Sequence, residues 1–391
     1  MPSATEQSSR CTVPLLLQKA IMNLLSVSGL DALLDLLATR GYRLVGPTRR
    51  DGAIVIDAID GLRDLPKGAG DDHDPARYAL TGRADDAYFG FTVSPTAWKR
   101  FFIPPKFTLW SATRSGKTFT TAGPDEGHHP PLALIGVRPC DLHAMQLQDG
   151  VYLREGSEDL RYARIRKEAF VVVVQCTAVG DTCFCGSMGT GPFADEGYDL
   201  ALTELIRDGR HVFLCRSGSD RGRALLAEVP LEESSEEDIV FERELRSRAG
   251  SAFVRTINTE AVREALKANV ESPLWDDIAK RCLTCANCTM VCPTCFCFTI
   301  EDVTDLTGTY AERRRRWDSC YTAEFTKVAG GNIRPSPRSR YRQWLTHKFT
   351  YWYDQFGSAG CVGCGRCITW CPVGIDITVE ASRFPIEHTP A

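Results

Sequence analysis

Two stretches of the chain carry the same cysteine spacing, and no other feature restricts the fold as much. Cys282, Cys285, Cys288 and Cys292 are followed by Pro293, and Cys361, Cys364, Cys367 and Cys371 by Pro372. Both read C-x2-C-x2-C-x3-C-P, the run that holds [4Fe–4S] clusters. Gaps of two residues let three thiolates converge on three irons of one cubane. The fourth thiolate stands a helical turn further on, where it can reach a different cluster, and the proline ends the coordinating loop. Zinc prefers two paired C-x2-C half-sites, and a disulfide framework belongs to secreted chains. The spacing therefore predicts two [4Fe–4S] clusters.

In compact two-cluster ferredoxins the fourth cysteine of each run ligates the other cluster. The same crossing here assigns Cys282, Cys285, Cys288 and Cys371 to one cluster, and Cys361, Cys364, Cys367 and Cys292 to the other. The long stretch between Cys292 and Cys361 is then a helical excursion that leaves the clusters and returns.

A chain of 391 residues has room for two or three domains. A net charge of −4 gives no global field for nucleic acid, and no basic stripe is interleaved with aromatics. Met1 to Arg10 is polar and lacks the basic n-region and cleavage site of a signal peptide. No apolar run approaches membrane-spanning length. Seventeen cysteines without a secretion signal read as metal ligands in a reducing, oxygen-poor compartment.

Apolar spacing predicts helix from Leu15 to Arg40, with a second helix starting at Ser28 or Asp31 and ending at Gly41. Leu44–Val45 and Ala53–Ala58 read as strands, with turns at Gly46-Pro47 and Asp51-Gly52. Asp60 to Arg77 reads as a surface loop, and His128-His129 as part of a solvated one. The aromatics from Phe89 to Trp110 read as core. Residues 132–137 (LALIGV) and 169–174 form buried strands; Asp141 caps the helix after the first. Cys140 and Cys176 follow these strands, and Cys183 and Cys185 lie in the adjoining loop. Carboxyl ends of strands are where open α/β sheets place their sites, so these four thiols are candidate ligands of a third cluster, with Cys215 as a substitute. Gly189-Thr190-Gly191 fails the dinucleotide spacing and no Walker A run occurs, so no NAD or FAD site is expected in this chain. Asn258 to Val270, and the stretch opened by Ser272-Pro273, are helices. Cys295 and Cys297 read as buried thiols, and Arg313 to Arg316 as a solvated helix face or a dock for an acidic partner. Residues 340–356 form an aromatic helix, with Tyr341, Trp344, Leu345, Lys348 and Trp352 on one face, packed over the clusters to exclude water. The fold expected is an α+β or α/β domain over 1–270 with an additional iron–sulfur site, then an α-helical ferredoxin-like domain over 271–391 with two [4Fe–4S] clusters.

Several longer motifs add a resemblance: IGVRPCDLHA (135–144), CFCGSMGTGP (183–192), CPTCFCF (292–298), RWDSC (316–320), VAGGNIRP (328–335), RYRQWLTHKF (340–349) and CVGCGRCITWCP (361–372). Together they resemble the iron–sulfur β subunit of cytoplasmic NAD(P)-linked [NiFe] hydrogenases, the sulfhydrogenases. The electron-transfer subunit of anaerobic sulfite reductase is closely similar. The match covers about residues 130 to 376. It implies an electron conduit partnered by a flavin subunit that handles NAD(P)H and by a catalytic unit. That unit is a [NiFe] large and small subunit pair, or a sirohaem subunit. The region around Cys140, Cys176, Cys183 and Cys185 also looks like that of F420-reducing β subunits, which carry a cluster.

Three functions compete at this stage. An electron-transfer subunit needs only fixed, insulated clusters. A stand-alone thiol or polysulfide reductase would use Cys295, Cys297 or Cys320, yet no Cys–His pair stands at close spacing. A redox sensor needs an effector module, and the sequence shows none.

Overall fold

Leu132–Val137 and Phe170–Val174 are buried along their whole length. Such runs belong to strands covered on both faces, as in parallel sheets. The computed structural model describes residues 22–124 and 130–386. The expected helix over Leu15–Ile21 and the pair His128-His129 lie outside the described residues.

The principal strands of the first half are β1 (Asn23–Ser26), β2 (Arg43–Arg50), β3 (Ala53–Ala58), β4 (Ala69–Asp74), β5 (Arg77–Gly82), β6 (Lys106–Ser115) and β7 (Thr118–Ala122). They continue with β8 (Leu132–Val137), β9 (Phe170–Val174), β10 (Leu200–Arg207), β11 (Arg210–Ser217), β12 (Glu232–Glu233), β13 (Phe298–Thr304) and β14 (Tyr310–Trp317). An eight-stranded sheet runs β12-β1-β11-β10-β9-β8-β2-β3. Its centre is parallel, β2 with β8, β8 with β9 and β9 with β10, and its flanks are antiparallel. Helix Val27–Thr39 covers one face through Leu30, Leu33, Leu34 and Leu37, all buried. The other face packs on Trp98, Phe102, Leu142, Met145 and Tyr162. Most of the expected core aromatics are thus in the core, whereas Trp110 is partly exposed.

Several local expectations need correction. Leu24 and Leu25 belong to β1, which pairs antiparallel with β11, and the helix starts after Ser26, whose hydroxyl accepts from the Gly29 N–H. Two leucines in sequence fit a strand buried on both faces as well as a helix, and pairing decided it. Gly46-Pro47 lies within β2, beyond the part that pairs with β8, where a missing N–H costs nothing. The stretch read as a surface loop forms the β4–β5 hairpin, and it buries His73 against Asp71 at 2.9 Å. Asp141 lies in the first turn of helix Pro139–Tyr152 but Arg138 is the cap.

The excursion between the two cysteine runs is not wholly helical. Residues 298–317 form the β13–β14 hairpin, and β14 pairs with β6 in a four-stranded sheet β13-β14-β6-β7. Chain beyond residue 271 is therefore interleaved with chain before it. Arg313 to Arg316 lie on β14, not on a helix: two adjacent carboxylates on β13 answer them, Asp302 to Arg313 and Glu301 to Arg314 and Arg316, while Arg315 turns inward to Asp159. Cross-strand charge pairing favours the hairpin over a helix that would stack like charges. The expected helix pairs are present as Thr259–Ala268, capped by Asn258, and Leu274–Arg281.

Helix Pro139–Tyr152 carries Asp141 into the interior, where both carboxylate oxygens accept from Arg366 at 2.8 Å. Arg366 also donates to the Ser94 carbonyl, and both partners are almost fully buried. Removing one member of such a pair strands the other charge without water. Asp141→Ala is expected to cost about 3–5 kcal/mol of stability, read as a lowered denaturant midpoint of the anaerobically purified protein. A loss below about 1 kcal/mol, the scale of a surface pair, would contradict the geometry.

Candidate functional site

The two cysteine runs fold alike. Thr284 and Ala286 in the first have positive φ (51° and 67°), and Gly363 and Gly365 in the second match them (63° and 75°). Each loop then enters one turn of helix, Asn287–Met290 or Arg366–Thr369. The residues differ because the surroundings do. A Cβ on Gly363 would come within 2.6 Å of the Phe184 and Cys185 backbone, and one on Gly365 within 2.5 Å of the Thr182 carbonyl. Only glycine combines this conformation with this closeness. The first loop has no such neighbour and tolerates side chains.

Backbone N–H groups point at the sulfurs in both loops. Thr284 N–H donates to Cys282 Sγ at 3.4 Å, Gly363 N–H to Cys361 Sγ at 3.4 Å, and Ile375 N–H to Cys371 Sγ at 3.3 Å. Cys282, Cys285, Cys288 and Cys371 line one cavity, with Cys367 at its side. Tyr321, Tyr341, Trp344, Ile375 and Ile377 complete the wall, and no charged side chain lines it. The Tyr341 hydroxyl and Trp344 Nε1 are buried without a hydrogen-bond partner. Orphaned donors of this kind cost about 1–3 kcal/mol each, and a cluster's sulfurs are the acceptors this wall lacks. The donor set thus fits an iron–sulfur group. Cys285 is exposed, so this cavity reaches the surface.

The fourth cysteine of the first run turns the other way. Cys292 is buried, and it shares its electrostatic surroundings with Cys361, Cys364 and Cys367. Its sulfur accepts from the Lys348 ammonium at 3.2 Å. A hydrogen bond from Cys295, with help from Lys348 and Lys99, holds the Cys292 thiol well below its usual range. Cys297 and Cys320 pair in the same way behind it, and Cys297 is drawn down to about 7 by the Cys320 thiol.

A third group of thiols stands beside the second loop. Cys140 follows β8, Cys176 follows β9, and Cys183 and Cys185 flank Phe184, whose N–H donates to the Gly363 carbonyl. Cys183 and Cys185 interact with each other's charge, with Cys176 and with Cys364; Cys140 faces Cys185 and Cys364. Burial pushes the Cys183 thiol up to about 12, and raises those of Cys140 and Cys185 as well. As free thiols they are inert; as ligands they would be thiolates. Cys215 does not join them: it is buried on β11 in the sheet core, its thiol on the Phe213 carbonyl. Among the described residues no three His, Cys, Asp or Glu side chains converge closely enough to share one metal ion.

The charged groups were not foreseen. Lys99, Lys348, Arg138 and Arg366 are all buried. Lys348 alone had a signal, since it falls on the apolar face expected to cover the clusters.

The description "4Fe-4S dicluster domain" matches residues 281–375. Sulfhydrogenase 2 subunit beta of Pyrococcus furiosus is 34% identical over 305 residues, covering 77% of this chain and 86% of that protein. No solved structure matches. No helix among the described residues is long and apolar enough to cross a membrane. With that identity over most of both chains, and with the cysteine loops that carry the resemblance folded as paired thiol cradles, the chain belongs to the family of sulfhydrogenase β subunits.

Proposed function

We propose that this electron-transfer iron–sulfur subunit relays electrons between a flavin subunit that handles NAD(P)H and a [NiFe] catalytic unit of large and small subunits, in a reducing cytoplasm. The observation that carries it is the cavity where Cys282, Cys285 and Cys288 meet Cys371 from the other run, open at Cys285 and free of charged acids and bases. Such a wall holds and insulates. Bound clusters supply one-electron carriers whose potentials respond to charge, hydrogen bonds and exposure. The chain's residues set spacing, exclude water through Tyr321, Tyr341 and Trp344, and donate to sulfur from the backbone.

Two [4Fe–4S] clusters follow from the crossed ligand sets, Cys282, Cys285, Cys288 and Cys371 for one, and Cys361, Cys364, Cys367 and Cys292 for the other. A third cluster is proposed on Cys140, Cys176, Cys183 and Cys185, next to Cys364. The domains proposed are 1–270, with that third site, and 271–391, with the two ferredoxin-type sites, the hairpin of residues 298–317 in the second pairing onto β6 of the first.

One observation favours a second reading, thiol or polysulfide reduction at Cys295, Cys297 or Cys320: the Cys320 thiol keeps Cys297 near neutrality, where thiolate is populated. It requires that the chain alone turn over sulfur substrates with artificial donors, and none is expected.

Nickel content decides the catalytic partner. The complex purified without oxygen through a tag on this chain is expected to contain stoichiometric nickel; sirohaem absorbance in its place would assign the chain to a sulfite reductase. Cys371→Ser and Cys285→Ser should weaken the same cluster signal, and Cys292→Ser the signal weakened by Cys364→Ser. If Cys371→Ser instead tracks Cys364→Ser, the ligands are not crossed. Cys183→Ala should cost about four irons per chain, and full iron retention would remove Cys183 from the third site.

A further inference from the structure

The Lys348 ammonium is buried in the interior, yet it forms no ion pair with a carboxylate among the described residues. Its donors go to Cys292 Sγ at 3.2 Å, Thr294 Oγ1 at 3.1 Å and the Gly360 carbonyl at 3.2 Å. An ammonium has three donors, so all are used, and the sulfur is the one partner among them that can carry a negative charge. A buried charge is costly unless paired. Lys348 therefore needs a lasting negative charge at Cys292, which a metal-bound thiolate supplies.

The backbone is shaped to deliver it. Lys348 lies in a π-helical turn, His347–Tyr351, between helices Pro337–Thr346 and Trp352–Phe356. Such turns recur at functional sites. The Lys348 carbonyl accepts from the Gly360 N–H at 2.7 Å, so the residue grips the entry to the second loop from both ends.

The two cluster sites are electrostatically unequal. Lys99, also buried, adds a second positive charge on the Cys292 side; it donates to the Thr289 and Cys295 carbonyls at 3.2 and 3.1 Å and lies 4.4 Å from the Trp317 ring centre. Arg366, beside Cys364, is balanced by Asp141. The cavity of Cys282, Cys285, Cys288 and Cys371 has no charged lining residue at all.

We propose that Lys348 is a positioning residue for electron flow, whose fixed charge at Cys292 Sγ raises the potential of the cluster held through Cys292 above that of the cluster held through Cys371. The inference rests on the ligand sets proposed above. Reduction adds one negative charge, and a cation in a low-dielectric interior favours the reduced form. One electron leaves the cluster by Cys371 and enters the cluster by Cys292; no bond forms or breaks, and Lys348 keeps its proton. The cluster by Cys371 is then the low-potential port, and the one by Cys292 the sink.

The test is a redox titration followed by electron paramagnetic resonance on the complex purified without oxygen. In Lys348→Met one cluster should become at least tenfold harder to reduce at a given potential, a fall of about 59 mV for one electron. The shifted signal should be the one weakened by Cys292→Ser, and the other should stay put. Lys348→Arg, which keeps the charge, should shift far less. Unchanged midpoints in Lys348→Met with full iron would overturn the proposal, as would a shift confined to the signal weakened by Cys371→Ser. If Lys348→Met loses iron, the comparison passes to Lys348→Gln against Lys348→Arg, and equal midpoints or loss of that cluster in Gln alone would mark a structural charge instead. Should Cys292→Ser and Cys371→Ser weaken one and the same signal, the ligand sets fail, while the Lys348→Met shift still reports on the cluster at Cys292.

Discussion

A guanidinium without access to water joins the two halves of the chain. Arg366 stands between Cys364 and Cys367, and its partner Asp141 stands next to Cys140, at the carboxyl end of a central strand. The pair is bidentate, which fixes direction as well as distance. Buried ion pairs contribute little net stability compared with apolar packing, but they penalise every arrangement that separates them. Here the arrangement enforced is the seating of one cysteine loop on the end of the sheet. Gly363 and Gly365 then come into backbone contact with residues 182–185, and the thiols of Cys183, Cys185 and Cys140 gather beside Cys364.

That seating accounts for other polar contacts at the same junction. His73 on the β4–β5 hairpin reaches Thr92 and Thr369, and Tyr78 stacks on Trp370. Thr182 also meets Thr369 at 2.8 Å. Each joins chain from before residue 200 to the helix turn that follows Cys364. A polar network of this kind is satisfied only in one register, and metal ligands need that degree of definition.

The 4Fe-4S dicluster character of residues 281–375 was legible because a cubane imposes its spacing on sequence. The group at Cys140, Cys176, Cys183 and Cys185 was legible for a weaker reason: strands β8 and β9 are apolar throughout, and thiols at their ends must be neighbours if the strands are. What stayed hidden involves choices that local pattern does not determine. Leu24 and Leu25 have the spacing of a helix and the pairing of a strand. Arg313 to Arg316 look like a solvated face until β13 supplies carboxylates at matching positions. Asp141 has the residue type of a helix cap, yet its partner lies more than two hundred residues away in sequence. Lys348 sat in a helical stripe of apolar residues, and sequence alone could not say whether its ammonium escaped to water or stayed inside.

The two cysteine loops share one backbone and differ in surroundings, and that difference orders the site. The first keeps Thr284 and Ala286 at its left-handed positions, leaves Cys285 exposed, and is walled by tyrosine and tryptophan. The second has glycine at both positions because protein backbone fills the space where side chains would go. Its Cys364 is buried, and its neighbours are a balanced arginine and an unbalanced lysine. Exposure, hydrogen bonds and net charge are the levers a protein has over a cluster, and the two loops differ in all three. The repeat keeps the backbone of the two loops and changes what surrounds them: the first opens to the surface at Cys285, while the second is pressed against the backbone of residues 182–185.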